Sequence, residues 1–372
     1  MLRRTQLYGY HSAHAKLTEF AGFEMPLWYT TTKEEHLAVR NNCGIFDVSH
    51  MGRFEVTGEG STTFLESLLP TWVAKQNAGK AFYTLLLDES AGIMDDLIVM
   101  RLGRDRYILV VNAANAASDM RHLVAHKPPA GVEINDKTQQ SAMVAIQGPR
   151  SAQALQALTD VDLSGLRRFR CAEGTVLGQP SFVSRTGYTG EDGFEVIVSG
   201  ATEDDPRGAL KVWEGLAAAS TPCGLGARDS LRLEAGFPLH GSDIDQSTDP
   251  IEADLTWVIS QGKSGYVGSD ALLKRERQPP GTVRRGIMLE EGIPRHGFEV
   301  LDGTGAGPVG VVTSGTFSPI LQKGIALSKI ERSVSDLDTH VSILVRGERK
   351  KARVARLPFY DESAYGWKRA SK

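Results

Sequence analysis

The sequence has few cysteines and no long apolar segment. Only three cysteines, Cys43, Cys171 and Cys223, occur among 372 residues, and none belongs to a CxxC pair. An odd number of widely spaced cysteines argues against a disulfide framework and is typical of a reducing compartment. No run approaches the ~18 apolar residues of a membrane span, and no apolar signal segment follows the basic start. We therefore predict a cytoplasmic protein, with an organelle matrix as the alternative.

The sequence also lacks the common motifs of several enzyme classes. It has no GxxxxGK[ST] phosphate loop, no HExxH zinc pair and no GxSxG nucleophile elbow, and Gly58-Glu59-Gly60 does not complete a dinucleotide GxGxxG. These absences disfavour nucleotide-dependent, zinc-dependent and serine-hydrolase chemistry. The net charge is −3, with 42 basic against 45 acidic residues, so bulk charge indicates neither nucleic-acid nor membrane binding.

One local run of charge departs from this balance. Basic residues are dense from Arg346 to Arg356, near the C-terminus. One interpretation is a solvated edge strand, because charged side chains protect exposed sheet edges. The other interpretation is a docking patch for an acidic partner.

The remaining composition is that of a globular protein with mixed helices and strands. With 372 residues, 41% of them hydrophobic and 23% charged, the chain is long enough for two or three domains. The pattern from Thr32 to Glu35 predicts a capping box, in which Thr32 caps a helix and Glu35 reaches back. The apolar runs 97–100 and 107–111 predict a hairpin. Residues 276–285 predict a linker, and the short strands after it predict a small all-β domain.

A pair of adjacent carboxylates, Asp95 and Asp96, stands directly before the apolar run 97–99. Successive strand residues face opposite sides, so one carboxylate would face the interior and the other would face out. A carboxylate against an apolar cavity is costly unless a cationic or hydrogen-bonding partner meets it. The pair therefore contains either a strand-start Asp bonded to backbone or an anion that faces a ligand.

An acidic, Gly-rich turn from Tyr188 to Gly193 leads into a strand that carries Glu195. Alternation puts Glu195 opposite Phe194 and Val196, and a buried Glu in an apolar strand is uncommon. Glu195 could serve a ligand with paired N–H donors, such as a pterin or guanidinium group, which a carboxylate accepts in a fork. The alternative is an internal salt bridge.

Two arginines and one histidine are also candidates. Arg228 and Arg232 are four apart, so on a helix they share a face. They belong either to a surface helix paired with Asp229 and Glu234 or to an anion clamp. For His50 we expect a hydrogen-bonded structural role beside a turn. No Ser/His/Asp or Cys/His triad can be assembled from the linear order.

Taken together, these segments resemble one family, the aminomethyltransferases called glycine cleavage T-proteins. The resemblance covers nearly the whole chain in the expected order, and the ordered set is highly specific. Its segments are FAGFEMP (20–26), GIFDVSHMG (44–52), GIMDDLIV (92–99), IQGP (146–149), YTGEDG (188–193), GLGARDSLRLEAG (224–236), IPR (293–295) and VTSGTFSP (312–319).

The resemblance implies an α+β fold, a three-domain cloverleaf around a central folate-binding channel with a small C-terminal all-β, barrel-like domain. Residues 1–50 plus 140–275 would form a discontinuous folate-binding domain. Residues 51–139 would form a second α+β domain that completes the channel, and residues 285–372 would form the C-terminal barrel.

The resemblance also implies a reaction. An aminomethyl group is carried on the lipoyl arm of a partner, the H-protein, and its methylene carbon passes to tetrahydrofolate. The products would be 5,10-methylenetetrahydrofolate, ammonia and dihydrolipoyl H-protein. Tetrahydrofolate would be a co-substrate, without a metal or flavin, and the P- and L-proteins would be indirect partners. Asp96 is implied as the catalytic carboxylate, and the implied folate-binding residues are Glu195, Arg228, Tyr83, Tyr188 and Met51.

Two other functions compete with this one. A folate-dependent demethylase of a small S- or N-methyl compound would share the fold, but the Asp95-Asp96 pair and the complete IPR and VTSGTFSP segments favour the T-protein. Folate-binding iron–sulfur assembly proteins of related fold carry a Lys-Gly-Cys-Tyr segment, which this sequence lacks. The chain departs from some relatives at Met100, where they carry Tyr, and after Tyr360, where Asp361 and Glu362 replace a nearby Arg.

Overall fold

The protein has the predicted α+β class, with helices and strands interspersed along the chain. The computed structural model describes residues 2–304 and 307–369. Within these residues the helices are α1 (Tyr8–His14), α2 (Thr32–Asn41), α3 (Ser61–Leu68), α4 (Ala116–Ala125), α5 (Ser151–Gln156), α6 (Arg207–Ala217), α7 (Leu225–Ala235) and α8 (Ser269–Arg277). The strands are β1 (Lys16–Phe20), β2 (Phe23–Trp28), β3 (Gly44–Asp47), β4 (Gly52–Thr57), β5 (Lys80–Leu87), β6 (Ile93–Gly103), β7 (Arg106–Val111), β8 (Glu133–Asp136), β9 (Ser141–Gln147), β10 (Cys171–Val176), β11 (Gln179–Ser184), β12 (Gly193–Ser199), β13 (Thr221–Pro222), β14 (Thr282–Leu289), β15 (Glu299–Asp302), β16 (Pro308–Ser318), β17 (Lys323–Glu331), β18 (His340–Val345) and β19 (Glu348–Ala355).

Contacts divide the chain into two compact units. The first contains Met1–Leu86 and Asp95–Arg228, and the second contains Leu87–Met94 and Asp229–Lys372. The short segment 87–94 is tied to the rest of its unit by hydrogen bonds such as that from Ile93 N to Thr248 O, at 3.0 Å. The division into three domains stays a prediction. None of the described helices is long and apolar enough to cross a bilayer.

A six-stranded sheet forms the centre of the first unit. Its order is β10-β11-β12-β9-β3-β13, and only the pair β3 and β13 is parallel. The sheet packs on α6, where the spacing of Ala209, Val212, Trp213 and Leu216 gives one apolar face, and all four side chains are fully buried. Strands β12 and β9 are interior strands, so Glu195 lies inside the sheet opposite Ala145.

A five-stranded sheet carries the pair of adjacent aspartates. Its order is β5-β6-β7-β4-β8, and β6 and β7 form the predicted hairpin, with Ile98 paired to Val110. Within β6, Asp95 is buried and Asp96 is partly exposed. The prediction that one residue of the pair is interior and the other more exposed is therefore confirmed.

The second unit contains a closed barrel of six strands in the order β14-β17-β16-β15-β18-β19. Its interior is filled by buried aliphatic side chains such as Ile287 and Val312. The predicted C-terminal all-β domain is confirmed. The predicted linker, residues 276–285, is shorter than expected, because α8 continues to Arg277 and β14 begins at Thr282.

The basic run from Arg346 to Arg356 includes strand β19, which pairs with β18 on one side and β14 on the other. The prediction of an edge strand is wrong, because closing a barrel gives every strand two neighbours. Along β19 buried Ala352 and Val354 alternate with exposed Lys351 and Arg353, so the charges lie on the outer face. The alternative, a docking patch for an acidic partner, stays a prediction.

The N-terminus of α2 is capped by Thr31 rather than by Thr32. Thr31 has extended backbone angles, and its Oγ1 accepts a hydrogen bond from the backbone N of Glu34 at 3.2 Å. The side chain of Glu35 does not complete the box, because its Oε1 accepts the backbone N–H of Tyr29 at 2.6 Å. The predicted cap is therefore displaced by one residue, and the reciprocal bond predicted for Glu35 is not formed. Consecutive threonines offer the same hydroxyl, and only the backbone conformation decides which of them caps.

We expect Thr31→Ala to lower the free energy of unfolding by about 1 kcal/mol, because the substitution removes the cap of α2. Thr32→Ala is the matched control, since Thr32 is already helical, and its effect should stay below about 0.5 kcal/mol. Urea denaturation followed by circular dichroism measures both variants. A larger loss of stability for Thr32→Ala than for Thr31→Ala would contradict this assignment of the cap.

Candidate active site

Two side chains hold the carboxylate of Asp96. The hydroxyl of Tyr83 donates to Oδ2 at 3.0 Å, and Nδ2 of Asn112 donates to Oδ1 at 2.9 Å. Tyr83 lies on β5 and Asn112 directly follows β7, and these strands are the two neighbours of β6. Asp96 is only partly buried as a residue, and these two hydrogen bonds fix the orientation of its carboxylate.

Asp95 is fully buried and accepts hydrogen bonds from the loop after β7. Its oxygens accept the backbone N of Asn112 at 2.9 Å, Nδ2 of Asn112 at 2.8 Å and Nδ2 of Asn115 at 2.6 Å. The interpretation of a strand-start Asp bonded to backbone is confirmed for Asp95. Sequence analysis missed both asparagines. Their positions were the available signal: Asn112 directly follows an apolar strand, and Asn115 directly precedes α4. Asn side chains at such positions commonly bond to backbone groups or cap a helix.

Glu195 is 7% exposed and lies on an interior strand. Thr186 Oγ1 donates to its Oε2 at 2.5 Å. Thr186 is placed in turn by Gln147, whose Nε2 donates to Thr186 O at 3.1 Å. Gly193 makes room for this amide, because a Cβ at that position would lie 2.5 Å from Gln147 Nε2. The glycine at position 193 therefore has a steric reason.

Arg228 lies in the first turns of α7, with its guanidinium 5.0 Å from the centre of the Tyr188 ring. Burial lowers the pKa of this guanidinium, and the charge of Glu195 opposes that shift. Its Nη1 is buried and has no hydrogen-bond partner among the described residues. An unpaired, buried guanidinium N–H is rare in folded proteins, so this geometry favours a ligand acceptor at Nη1.

Arg232 has a different environment from Arg228. It is 2% exposed and donates to Asp243 Oδ2 at 2.7 Å and to Ser314 Oγ at 2.8 Å, and it also pairs with Asp229. All of these partners belong to the second unit, whereas Arg228 belongs to the first. The hypothesis of one anion clamp built from both arginines is therefore wrong, because internal carboxylates already neutralise Arg232.

His50 is buried against the rings of Phe20 and Phe23. Burial lowers its pKa to about 3, and the positive charge of Arg228 adds to this shift, so the imidazole is neutral near neutral pH. The structural role is supported, but the expected hydrogen bond is missing at Nδ1, which has no partner among the described residues. Met51 follows in the turn before β4, where its backbone N donates to Val48 O at 3.2 Å.

The predicted site residues fall into two groups within the first unit. Tyr83 meets Asp96, and Tyr188 and Glu195 lie near Arg228. Met51 is linked to the second group through its neighbour His50. The positive charge of Arg228 contributes to lowering the pKa of the His50 imidazole, so the two side chains lie close together. Among residues 2–304 and 307–369, no cluster of three or more His, Cys, Asp or Glu side chains is arranged to hold a metal ion.

Comparisons with known proteins agree with one another. Residues 7–263 match the family described as GCVT N-terminal domain, and residues 283–361 match the glycine cleavage T-protein C-terminal barrel domain. The chain is 44% identical over 370 residues to an aminomethyltransferase of Geobacillus kaustophilus, covering 97% of this chain and 99% of that one. It is 43% identical over 362 residues to an aminomethyltransferase of Thermus thermophilus, covering 96% and 99%.

A solved structure shows the same fold. The crystal structure of the glycine cleavage system aminomethyltransferase T from Bartonella henselae superposes with a TM-score of 0.90 at 35% identity, covering 97% of this chain and 98% of that chain. These matches do not favour the alternative of a small-molecule demethylase. They show that the chain belongs to the aminomethyltransferase family, the T-proteins of the glycine cleavage system.

Proposed function

We propose that this aminomethyltransferase takes an aminomethyl group from the lipoyl arm of an H-protein and transfers its methylene carbon to tetrahydrofolate. The bond from carbon to the lipoyl sulfur breaks, the electron pair stays on sulfur, and the carbon becomes an iminium-like cation. One amine nitrogen of tetrahydrofolate attacks this cation, its second amine nitrogen then bonds to the same carbon as ammonia leaves, and the two N–H protons of the folate end on the lipoyl thiolate and on the ammonia. The products are 5,10-methylenetetrahydrofolate and the dihydrolipoyl H-protein. Membership of the aminomethyltransferase family supports this reaction.

The observation that carries the proposal is the fixed, partly exposed carboxylate of Asp96. An iminium-like cation needs a negative charge beside it, and that charge is most effective where water is excluded. The hydrogen bonds from Tyr83 and Asn112 hold the carboxylate in one orientation before the reaction begins. Asp96 therefore stabilises the cation and orients the attacking amine without having to reorganise.

Glu195 and Arg228 are the proposed contacts for the pterin end of the folate. Thr186 occupies one oxygen of Glu195, which leaves Oε1 to accept N–H donors of the pterin ring. The unpaired Nη1 of Arg228 supplies a donor for a ligand oxygen or nitrogen. Tyr188, under the guanidinium, and Met51, beside His50, are proposed to line the same site.

The proposed direct partner is the lipoyl-bearing H-protein, and the P- and L-proteins are proposed as indirect partners. The proposed compartment is the cytoplasm or an organelle matrix. The free and buried state of Cys43, Cys171 and Cys223 supports a reducing environment.

A product assay tests the function directly. With aminomethylated H-protein and tetrahydrofolate, we expect stoichiometric release of ammonia and formation of 5,10-methylenetetrahydrofolate. H-protein without the aminomethyl group is the control and should give neither product. A transfer from small S-methyl or N-methyl compounds, with no turnover of aminomethylated H-protein, would show that the demethylase is the correct function.

Asp96→Asn should lower kcat by about 10²–10³-fold while folding and most folate binding persist, because the substitution keeps the shape and removes the charge. Tyr83→Phe removes one hydrogen bond to the same carboxylate and should lower kcat less, by roughly tenfold. Formation of methylenetetrahydrofolate at saturating folate is the measurement. Activity of Asp96→Asn within about threefold of the unmodified protein would refute the electrostatic role.

Glu195→Ala should weaken tetrahydrofolate binding about tenfold or more, because ligand N–H donors lose their acceptor at a cost of about 1–3 kcal/mol. Glu173→Ala is the control, since Glu173 is an exposed carboxylate on β10 of the same sheet, ion-paired to Arg106. Titration calorimetry gives the affinities and thermal unfolding gives the stabilities. If Glu195→Ala melts at a much lower temperature but binds folate normally, Glu195 is structural.

A further inference from the structure

A third carboxylate, Asp119, lies beside the pair Asp95 and Asp96. It is on α4, the helix that begins directly after Asn115, and it is fully buried. Asp119 is within hydrogen-bonding reach of Asp95, and the charge of Asp96 also acts on it. Sequence analysis did not single out this residue.

Neither carboxylate oxygen of Asp119 accepts a hydrogen bond from any of the described residues. The neighbouring Asp95 is in the opposite situation, because it accepts three hydrogen bonds from Asn112 and Asn115. An ionised carboxylate that is buried without any donor is strongly disfavoured, and a second negative charge at hydrogen-bonding distance disfavours it further. Of these two carboxylates, Asp95 is therefore the ionised one.

A proton on Asp119 removes both difficulties at once. The neutral acid has an O–H donor, and an oxygen of Asp95 is within reach to accept it. Burial, followed by the charge of Asp95, raises the pKa of Asp119, which agrees with the geometry. A pair of buried carboxyl groups that shares one proton is a known arrangement in other enzymes.

We propose that Asp119 is a neutral carboxylic acid whose O–H donates a hydrogen bond to the Asp95 carboxylate, and that Asp119 thereby acts as a positioning residue for Asp96. The effect passes through named contacts. Asp119 holds Asp95, Asp95 Oδ1 accepts Nδ2 of Asn112 at 2.8 Å, and the same Nδ2 donates to Asp96 Oδ1 at 2.9 Å. This inference rests on the proposed catalytic role of Asp96.

The proton on Asp119 also limits the charge of the cluster. With Asp119 neutral, only Asp95 and Asp96 are negative, and the amides of Asn112 and Asn115 are sufficient to meet them. A third negative charge would repel both carboxylates and so disturb their shared contacts with Asn112. The orientation of the catalytic carboxylate therefore depends on a group that does not touch the substrate.

Two substitutions of Asp119 distinguish the role of its hydrogen-bond donor from the role of its side-chain volume. Asp119→Asn keeps a donor towards Asp95 and cannot ionise, so kcat should stay within about threefold of the unmodified enzyme. Asp119→Leu fills the space without a donor, and kcat should fall by roughly tenfold to a hundredfold, while KM for tetrahydrofolate changes little. A kcat for Asp119→Leu within threefold, or an Asp119→Asn variant as impaired as Asp119→Leu, would overturn the positioning role.

A second experiment tests the protonation state of Asp119. It does not depend on enzyme activity or on whether the Asp119→Leu variant folds. The infrared difference spectrum between the unmodified protein and Asp119→Asn at neutral pH should contain the carbonyl band of a neutral carboxylic acid, shifted in heavy water. A spectrum with only carboxylate bands would overturn the proposal, whatever Asp96 does. An active Asp96→Asn variant would instead refute the role of Asp96 and leave the acid band at Asp119 unchanged, so the two failures are distinguishable.

Discussion

One amide group serves both members of the adjacent pair of aspartates, and the geometry of the site depends on it. Nδ2 of Asn112 donates to Asp95 Oδ1 at 2.8 Å and to Asp96 Oδ1 at 2.9 Å. The same Nδ2 also donates to the backbone carbonyl of Asp96. An amide nitrogen carries only two hydrogens, so these three acceptors share both of them. Strand β6 and the loop after β7 are joined there by charge-assisted bonds in a largely buried place, where such bonds are strong.

Two further buried charges of the first unit, on Arg53 and Asp47, are compensated by internal partners. Arg53 is fully buried, which lowers its pKa to about 10, and it donates to Ser49 O at 2.8 Å and to Ser141 O at 2.6 Å. Since Arg53 lies on β4 and Ser141 begins β9, this side chain connects the five-stranded sheet to the six-stranded sheet. Removing either side of such a contact leaves a buried polar group unpaired, which is costly.

Asp47 shows the same principle at the end of β3. Burial raises the pKa of its carboxyl, but hydrogen bonds from His11, Ser49 and Thr5 outweigh this effect and hold the pKa at about 2. His11 Nε2 lies 2.9 Å from Asp47 Oδ2, and neither side chain is exposed. This network ties helix α1 to the end of β3, because displacing the helix would take the His11 partner away from a buried carboxylate.

The sequence by itself determined the elements whose signal is local. Alternation and apolar runs predicted the β6–β7 hairpin and the C-terminal all-β domain, and the ordered motifs predicted the family. Local pattern also identified the Asp95-Asp96 pair as one carboxylate inside and one partly exposed. These features follow from the period of a strand and from residue order, both of which a linear sequence contains.

Only the tertiary structure decided which partners the charged side chains meet. It closed the barrel and so made β19 an interior strand, and it neutralised Arg232 with Asp243 while leaving Nη1 of Arg228 without a partner among the described residues. It also brought Asn112 and Asp119 to the aspartate pair from another strand end and from a helix. Residue type and spacing cannot settle these outcomes, because the energy of a buried charge depends on the donors around it, and those donors come from distant parts of the chain.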